Sequence, residues 1–287
     1  MRYYQSTLED ERRLTVETDS GTYDLTSANP EIDSFGALLR AADDAGQTPD
    51  AYVEQAVEGA ATVDGVAGTL RAPIDIDEVW AAGVTYQISE EAREVESESP
   101  DIYMNVYDAD RPEIFFKATP SRTVGPGDAV GIRGDSEWDV PEPELGIVLH
   151  RGEIVGYTIG NDMSSRSIEG QNPLYLPQAK MYDRCCSIGP CVATGDTVRD
   201  PHDLVMTMSI TRDGDVLYDE STSTAEMVRT CEELVSYYTR HNSVPEFAVL
   251  LTGTSLVPDD HFTLREGDKV HIDIEEIGTL ENVVTPV

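Results

Sequence analysis

The stretch WDVPEPELGIVLHRGEIVGYTIGND, residues 138–162, constrains the chain more than any other, because it sets carboxylates at the ends of two apolar runs that must be buried. Glu142 and Glu144 lead into Leu145, Gly146, Ile147, Val148 and Leu149, which reads as a buried strand. In an extended chain, residues i and i+2 point to one side, so both carboxylates face one space. A turn at Arg151 and Gly152 leads to a second strand-like run, Ile154 to Ile159, which delivers Asp162 at its end. Three carboxylates without an accompanying His or Cys suit a hard, oxygen-loving divalent ion, Mg²⁺ before Mn²⁺ or Ca²⁺, with positions left for water and substrate. The alternative is a solvated acidic face, an ordinary outcome in a chain with 55 acidic residues. Against it stands the setting, since charge beside apolar strands is costly unless paired or bound to a cation.

Charge decides what else the chain can meet. The formal net charge is −35, with the acids spread along the whole length, which argues against nucleic acid and against anionic membranes as partners. The only lysines are Lys117, Lys180 and Lys269. A dispersed acidic surface nearly free of lysine resembles proteins of extreme halophiles, where salt screens self-repulsion. Two of those lysines lie close to the acidic cluster in sequence, and in such a background a retained lysine calls for a specific reason. Apolar residues make up 39% of 287, enough for a substantial core. No apolar run reaches about 18 residues and Met1 is followed by polar sequence, so the expected location is the cytoplasm. Cys185, Cys186, Cys191 and Cys231 show no C-x-x-C spacing and are expected as reduced thiols.

Residues 1–72 read as a small leading α+β domain and 73–287 as a β-rich α+β domain. In the first, Leu14 and Val16 pair across a turn at Asp19 to Gly21 with Tyr23 and Leu25. Ser34 caps a helix whose Phe35, Leu38, Leu39 and Ala42 follow helical spacing up to Gly46, and a shorter helix carries Tyr52 and Val53. In the second, Val79 to Val84 is a buried strand, and Ser89 to Ser99 is an exposed helix or mobile lid. Ile114 to Phe116 is a strand ending at Lys117. NPLYLPQAKMYD is a loop bearing Lys180, and Asp213 with Gly214 turns a hairpin. Thr224 to His241 reads as a helix with Met227, Val228, Cys231, Leu234, Val235 and Tyr238 on its apolar face. The five histidines stand at no metal or triad spacing, and no G-x-S-x-G, G-x-G-x-x-G or Walker pattern occurs.

EIFFKATPSRTVGPGD, PEPELGIVL, GYTIGNDMSSR, KMYDRCCSIGP, LTGTS and GDKVHIDIEEIGTLEN, taken in order from about Val79 to the C-terminus, resemble the fumarylacetoacetate hydrolase family. The resemblance implies a mixed β-roll catalytic domain, a homodimer or homotetramer, and Mg²⁺ held by Glu142, Glu144 and Asp162. In such sites the metal chelates the carboxylate and 2-oxo group of a 2-oxo acid, the small-molecule substrate, with Lys180 beside it. Hydrolases of the family carry a GLNYxxHxxE-like segment whose histidine activates water. Here that stretch is Gly83, Val84, Thr85, Tyr86, Gln87, Ile88 and Ser89, with serine in the histidine's place, so general-base activation of water is hard to build. GVTYxxS, RPEIFFKAT, SEWDVPEPEL and QNPLYLPQAK are similar to the archaeal branch that dehydrates 2-keto-3-deoxy-pentonates to 2,5-dioxopentanoate in pentose breakdown. The expectation that follows gives Lys180 the C3 proton or a purely electrostatic role, and makes Glu113 the acid for the departing C4 hydroxyl. Lys117 and Thr254 orient the substrate, and Ser89 fills the histidine's place. Two rival readings are an acylpyruvate hydrolase or 2-oxo acid tautomerase of the same fold, and a non-catalytic metal-binding protein on an enzyme scaffold.

Overall fold

The computed structural model describes residues 1–58, 61–86 and 109–287. At its centre the strands Pro143–His150 and Glu153–Asp162 pair antiparallel, with Leu145 opposite Ile159 and Ile147 opposite Tyr157. The connection between them is tight because Arg151 and Gly152 both take positive φ, 52° and 87°. Every residue of Pro143–His150 is buried, so this strand is covered on both faces, as its continuous apolar run requires.

The same sheet grows outward on both sides of that pair. Cys186–Ala193 lies antiparallel to Glu153–Asp162, and Arg2–Leu8 pairs with it in turn, with Tyr3 opposite Val192. Glu11–Thr18 and Gly21–Asp24 then extend that edge. On the other side come Phe247–Leu251, the parallel strand Glu78–Gly83, and the antiparallel strand Glu113–Ala118. The N-terminal strands thus continue the sheet that carries the carboxylates, and one hydrophobic core runs from Tyr3 to Val284. A second sheet of five strands stacks Asp215–Ser223, Val205–Arg212, Lys269–Ile274, Gly278–Pro286 and Ala129–Ile132 in that order. Asp213 and Gly214 turn its hairpin with φ of 53° and 92°.

The helix Phe35–Ala45 forms as its signals dictate. The Ser34 hydroxyl accepts from the Ala37 N–H, Phe35, Leu38, Leu39 and Ala42 are buried, and Gly46 closes it in the left-handed conformation. The later helix is shorter than its apolar stripe predicts, spanning Cys231–Thr239 in place of Thr224–His241. Thr230 takes the cap, its hydroxyl accepting from the Glu233 N–H, and the backbone before it is used elsewhere. Val228 N–H donates to Thr85 O at 2.8 Å and Met227 bridges to Tyr86, so this segment ties down the chain leaving the Glu78–Gly83 strand. The expected loop at NPLYLPQAK is a short 3₁₀ turn followed by the helix Leu176–Lys180, with Lys180 in its last turn. All four cysteines are free and buried. Among the described residues no helix is long and apolar enough to cross a membrane. Ser89 and the acidic segment to Ser99 lie outside the described residues.

Candidate active site

Strand pairing assembles the carboxylates. Glu144 opposes Gly160, Pro143 opposes Asn161, and Asp162 N–H donates to Glu142 O at 2.9 Å, so Asp162 at the end of one strand meets the two glutamates at the start of its neighbour. Oxygens of Glu142, Glu144 and Asp162 lie within 4.8 Å of one another, and the three residues are 7%, 2% and 1% exposed. Each is fixed from behind. The Arg166 guanidinium sits 3.1 Å from Glu142 Oε1, and Gly253 N–H donates to Glu144 Oε2 at 2.6 Å. Gly253 has φ of +83°, and a Cβ there would meet Thr85 Oγ1 and Ala82 O, so a residue with a side chain could not present this amide.

Two ammonium groups share Asp162. Lys180 Nζ lies 2.5 Å from Glu142 Oε2, 3.1 Å from Asp162 Oδ2 and 2.6 Å from Ser164 Oγ. All three of its N–H groups are thereby engaged. Burial alone would lower its pKa, but Asp162, Glu142 and Glu169 outweigh burial and hold it well above the usual lysine range. Lys117 is not among the described residues that line the cleft. It is 0% exposed; Nζ pairs with Asp162 Oδ1 at 2.5 Å and donates to Met163 O at 2.8 Å and Lys180 O at 2.5 Å. A fully buried ammonium needs that complete set of oxygens.

The charge balance is uneven in a way that suits a cation. Burial pushes the Glu142 carboxyl up, but Lys180 and Arg166 overcome it and bring it down to about 2. Among the described residues, Glu144 has no ion pair of its own. Burial, then the charges of Asp162 and Glu142, push its carboxyl well above the usual range. Three carboxylate oxygens facing one space, one of them short of positive charge, fit a hard divalent ion.

The triad opens into a cleft that also holds Glu113, Phe115, Arg166, Glu169, Lys180 and Thr254. Glu113 begins the strand Glu113–Ala118 opposite Gly83, and a Cβ on Gly83 would collide with its carboxylate, so the glycine makes room for it. No described residue hydrogen-bonds the Glu113 carboxyl, which burial and the nearby charge of Glu169 push up to about 7. Thr254 lines the cleft, with its hydroxyl accepting from Leu256 N–H at 3.0 Å. The structure therefore gathers Glu113, Glu142, Glu144, Asp162, Lys180 and Thr254 in one place. Sequence reasoning missed Arg166 and Glu169, which the Ser165-capped helix Arg166–Gln171 sets one turn apart on the cleft wall. The signal was present in SSRSIEG, where a serine cap is followed by Arg and Glu at i, i+3 spacing directly after the last carboxylate ligand.

A mixed sheet carrying a Glu-x-Glu strand, an Asp-terminated neighbour and a lysine between them defines a class of fold and site. The chain belongs to the fumarylacetoacetate hydrolase family: the profile of the fumarylacetoacetate (FAA) hydrolase C-terminal region matches residues 78–285. Within that family it is 66% identical, over 100% of both chains, to a probable 2-keto-3-deoxyxylonate dehydratase of Haloferax volcanii. It is 47% identical to the 2-dehydro-3-deoxy-D-arabinonate dehydratase of Saccharolobus solfataricus, over 75% of this chain and 73% of that one. Among solved structures, a 2-keto-3-deoxy-D-arabinonate dehydratase complexed with magnesium and 2,5-dioxopentanoate superposes with a TM-score of 0.84. Its identity to this chain is 36%, with 100% of this chain and 99% of that chain covered.

Proposed function

We propose that this chain is a Mg²⁺-dependent hydro-lyase that converts a 2-keto-3-deoxy-pentonate to 2,5-dioxopentanoate. The observation that carries the reading is the buried Glu142, Glu144 and Asp162 triad opening on a cleft with Lys180 and Glu113, in a chain 66% identical end to end to a dehydratase. Mg²⁺ held by the three carboxylates would supply a Lewis acid for the C1 carboxylate and C2 oxygen of the 2-oxo acid. The chain's own residues do the rest. Lys180, charged and fixed by Glu142, Asp162 and Ser164, stabilises negative charge developing at the C2 end. Thr254 contributes a hydroxyl to the cleft wall, and Ser89 is the residue that stands in sequence where the hydrolases carry their histidine. Lys117 supports Asp162 from behind. Residues 1–72 serve as a leading unit to the catalytic part, residues 73–287. A cytoplasmic location, on the sequence composition, and a homodimer or homotetramer, on the family resemblance, complete the reading.

Glu113 is the acid for the C4 hydroxyl in this scheme, which fixes a pH profile. Its folded pKa is raised to about 7, so it carries its proton at acidic pH and loses it as pH rises through neutrality. Turnover is expected to be flat below that point and to fall about tenfold per pH unit well above it, in a kcat profile measured at saturating Mg²⁺. A rate that keeps rising to pH 9 would remove Glu113 from this role.

The function itself is tested in about 2 M KCl, chosen to screen the acidic surface. The protein is given 2-keto-3-deoxy-pentonate and Mg²⁺, and the product is trapped by an NADP-dependent semialdehyde dehydrogenase. NADPH formation that EDTA stops and Mg²⁺ restores is the expected result. No NADPH, with pyruvate released from an acylpyruvate, would make the chain a hydrolase.

A further inference from the structure

One short stretch of chain, from Met227 to Tyr238, holds the strand pair that carries Glu113. Its helix Cys231–Thr239 is seated on that pair. The Tyr238 hydroxyl donates to Glu78 Oε1 at 2.7 Å, and the Trp80 ring contacts both Tyr238 and Phe116, 5.6 Å from each centroid. Glu113 is the first residue of its strand and opposes Gly83. Beyond that last pair, both chains are held again. On the Gly83 side, Val228 N–H donates to Thr85 O and Met227 bridges to Tyr86. On the Glu113 side, the Arg229 guanidinium donates to Ala109 O and, at 3.5 Å, to Asp110 O, while the Tyr237 hydroxyl donates to Asp110 O at 2.8 Å. Glu233 Oε1, one helical turn on, accepts from Arg229 at 2.8 Å and keeps the fork in place. Tyr237 is itself flanked by two guanidiniums, Arg111 at 5.5 Å and Arg240 at 4.1 Å from its ring centroid.

The link from these carbonyls to the cleft is short and stiff. Asp110 and Glu113 are three residues apart, at most about 10 Å of extended chain. Pro112 between them is buried, its ring fixes its own φ, and it disfavours the helical region for Arg111. Such a segment passes a displacement of its clamped end on to the next residue instead of absorbing it. Glu113 depends on this, because no described residue hydrogen-bonds its carboxyl, and its place in the cleft is set by backbone and by the space over Gly83. A surface arginine in a chain with 55 acidic residues has carboxylates to pair with. This one, its side chain 13% exposed, turns its fork to two backbone carbonyls as well.

Resting on the reading of Glu113 as the acid for the C4 hydroxyl, we infer that Arg229 is a positioning residue for dehydration. With Tyr237 it clamps the carbonyls of Ala109 and Asp110 and, through Arg111 and Pro112, sets where the Glu113 carboxyl stands beside the substrate. Substrate binding does not run through this clamp, since the C1–C2 end of the substrate belongs to the carboxylate triad. A second route leaves the same stretch and makes a different prediction. Val228 holds Thr85, whose hydroxyl donates to Thr252 O at 2.5 Å, next to the Gly253 N–H that donates to Glu144. A residue acting along that path would alter the metal site instead.

Arg229→Met is expected to lower kcat for 2-keto-3-deoxy-pentonate about 10- to 100-fold, as a misplaced proton donor would, with KM within about threefold of wild type. Mn²⁺ affinity by calorimetry stays within about twofold, which separates the clamp from the route through Thr85. Arg229→Lys, which can still donate to both carbonyls, keeps kcat within about fivefold. Tyr237→Phe leaves Arg229 on Asp110 O, is expected to lose about three- to tenfold in kcat, and serves if Arg229→Met does not fold. In a Glu113→Gln background, Arg229→Met or Tyr237→Phe costs under about threefold more, because the group they position is already gone. An undiminished further loss in that background, Mn²⁺ affinity that falls in step with kcat, or wild-type kcat in both Arg229→Met and Tyr237→Phe overturns the clamp. Full dehydration by Glu113→Gln would instead overturn the acid reading on which it rests.

Discussion

Glu144→Gln is expected to abolish dehydration, with kcat down about 1000-fold or more at any Mg²⁺ concentration, while the fold survives. The substitution removes one ligand charge at nearly constant volume and keeps an acceptor for the Gly253 N–H. A second effect has the opposite sign. In the metal-free protein Glu144 is the carboxylate that burial and the charges of Asp162 and Glu142 press hardest, so a neutral amide relieves repulsion there. Metal-free Glu144→Gln is therefore expected to melt at or above the metal-free wild type. Mg²⁺ should raise the wild-type Tm, because a ligand that binds only the folded state stabilises it, and should leave the variant unmoved. Thermal scans with and without Mg²⁺ read both effects. A variant that still gains Tm from Mg²⁺ and still turns over would take Glu144 out of the metal site.

The largest loss of stability is expected from Lys117→Met. The change keeps the apolar stem but strands Asp162 Oδ1, Met163 O and Lys180 O, three oxygens that now share one ammonium in a fully buried pocket. Removing one partner of a buried ion pair costs about 3–5 kcal/mol, because the remaining charge stays out of water unpaired. Urea denaturation should show that loss through a lower midpoint at unchanged slope. The bond to Lys180 O also braces the end of the helix that carries Lys180, so Mn²⁺ affinity should fall together with stability. A loss under about 1 kcal/mol would mean that the pocket relaxes or admits water.

Much of this architecture was legible in the chain itself. Glu-x-Glu ahead of an apolar run, with Asp at the end of the next, put three carboxylates in one space because strand periodicity and a tight turn leave little freedom. The Ser34 cap and the Gly46 stop marked their helix to the residue, since both act through local backbone chemistry. The misreadings came where tertiary contacts override local pattern. Met227 and Val228 share the apolar spacing of the later helix, yet their backbone goes to Thr85 and Tyr86, a demand no local signal announces. Lys117 was expected, on the resemblance, to orient the substrate, and in the structure its ammonium lies on Asp162. Only the fold shows that its side of the strand faces the carbonyls under Asp162. Arg166 and Glu169 drew no reading from the sequence, and it is the short helix that turns them onto the cleft.

The placement of the lysines has a practical corollary. Lys117 is 0% and Lys180 4% exposed, and the amino group of Met1 is tied to Thr194 and Thr197, which leaves Lys269, exposed at the start of Lys269–Ile274, as the lysine that an amine-reactive reagent meets. An activated-ester dye or an aldehyde resin should therefore couple at a single point, in the five-stranded sheet, and leave both cleft lysines unmodified. What an acidic surface denies to most coupling chemistry, it returns as uniform labelling.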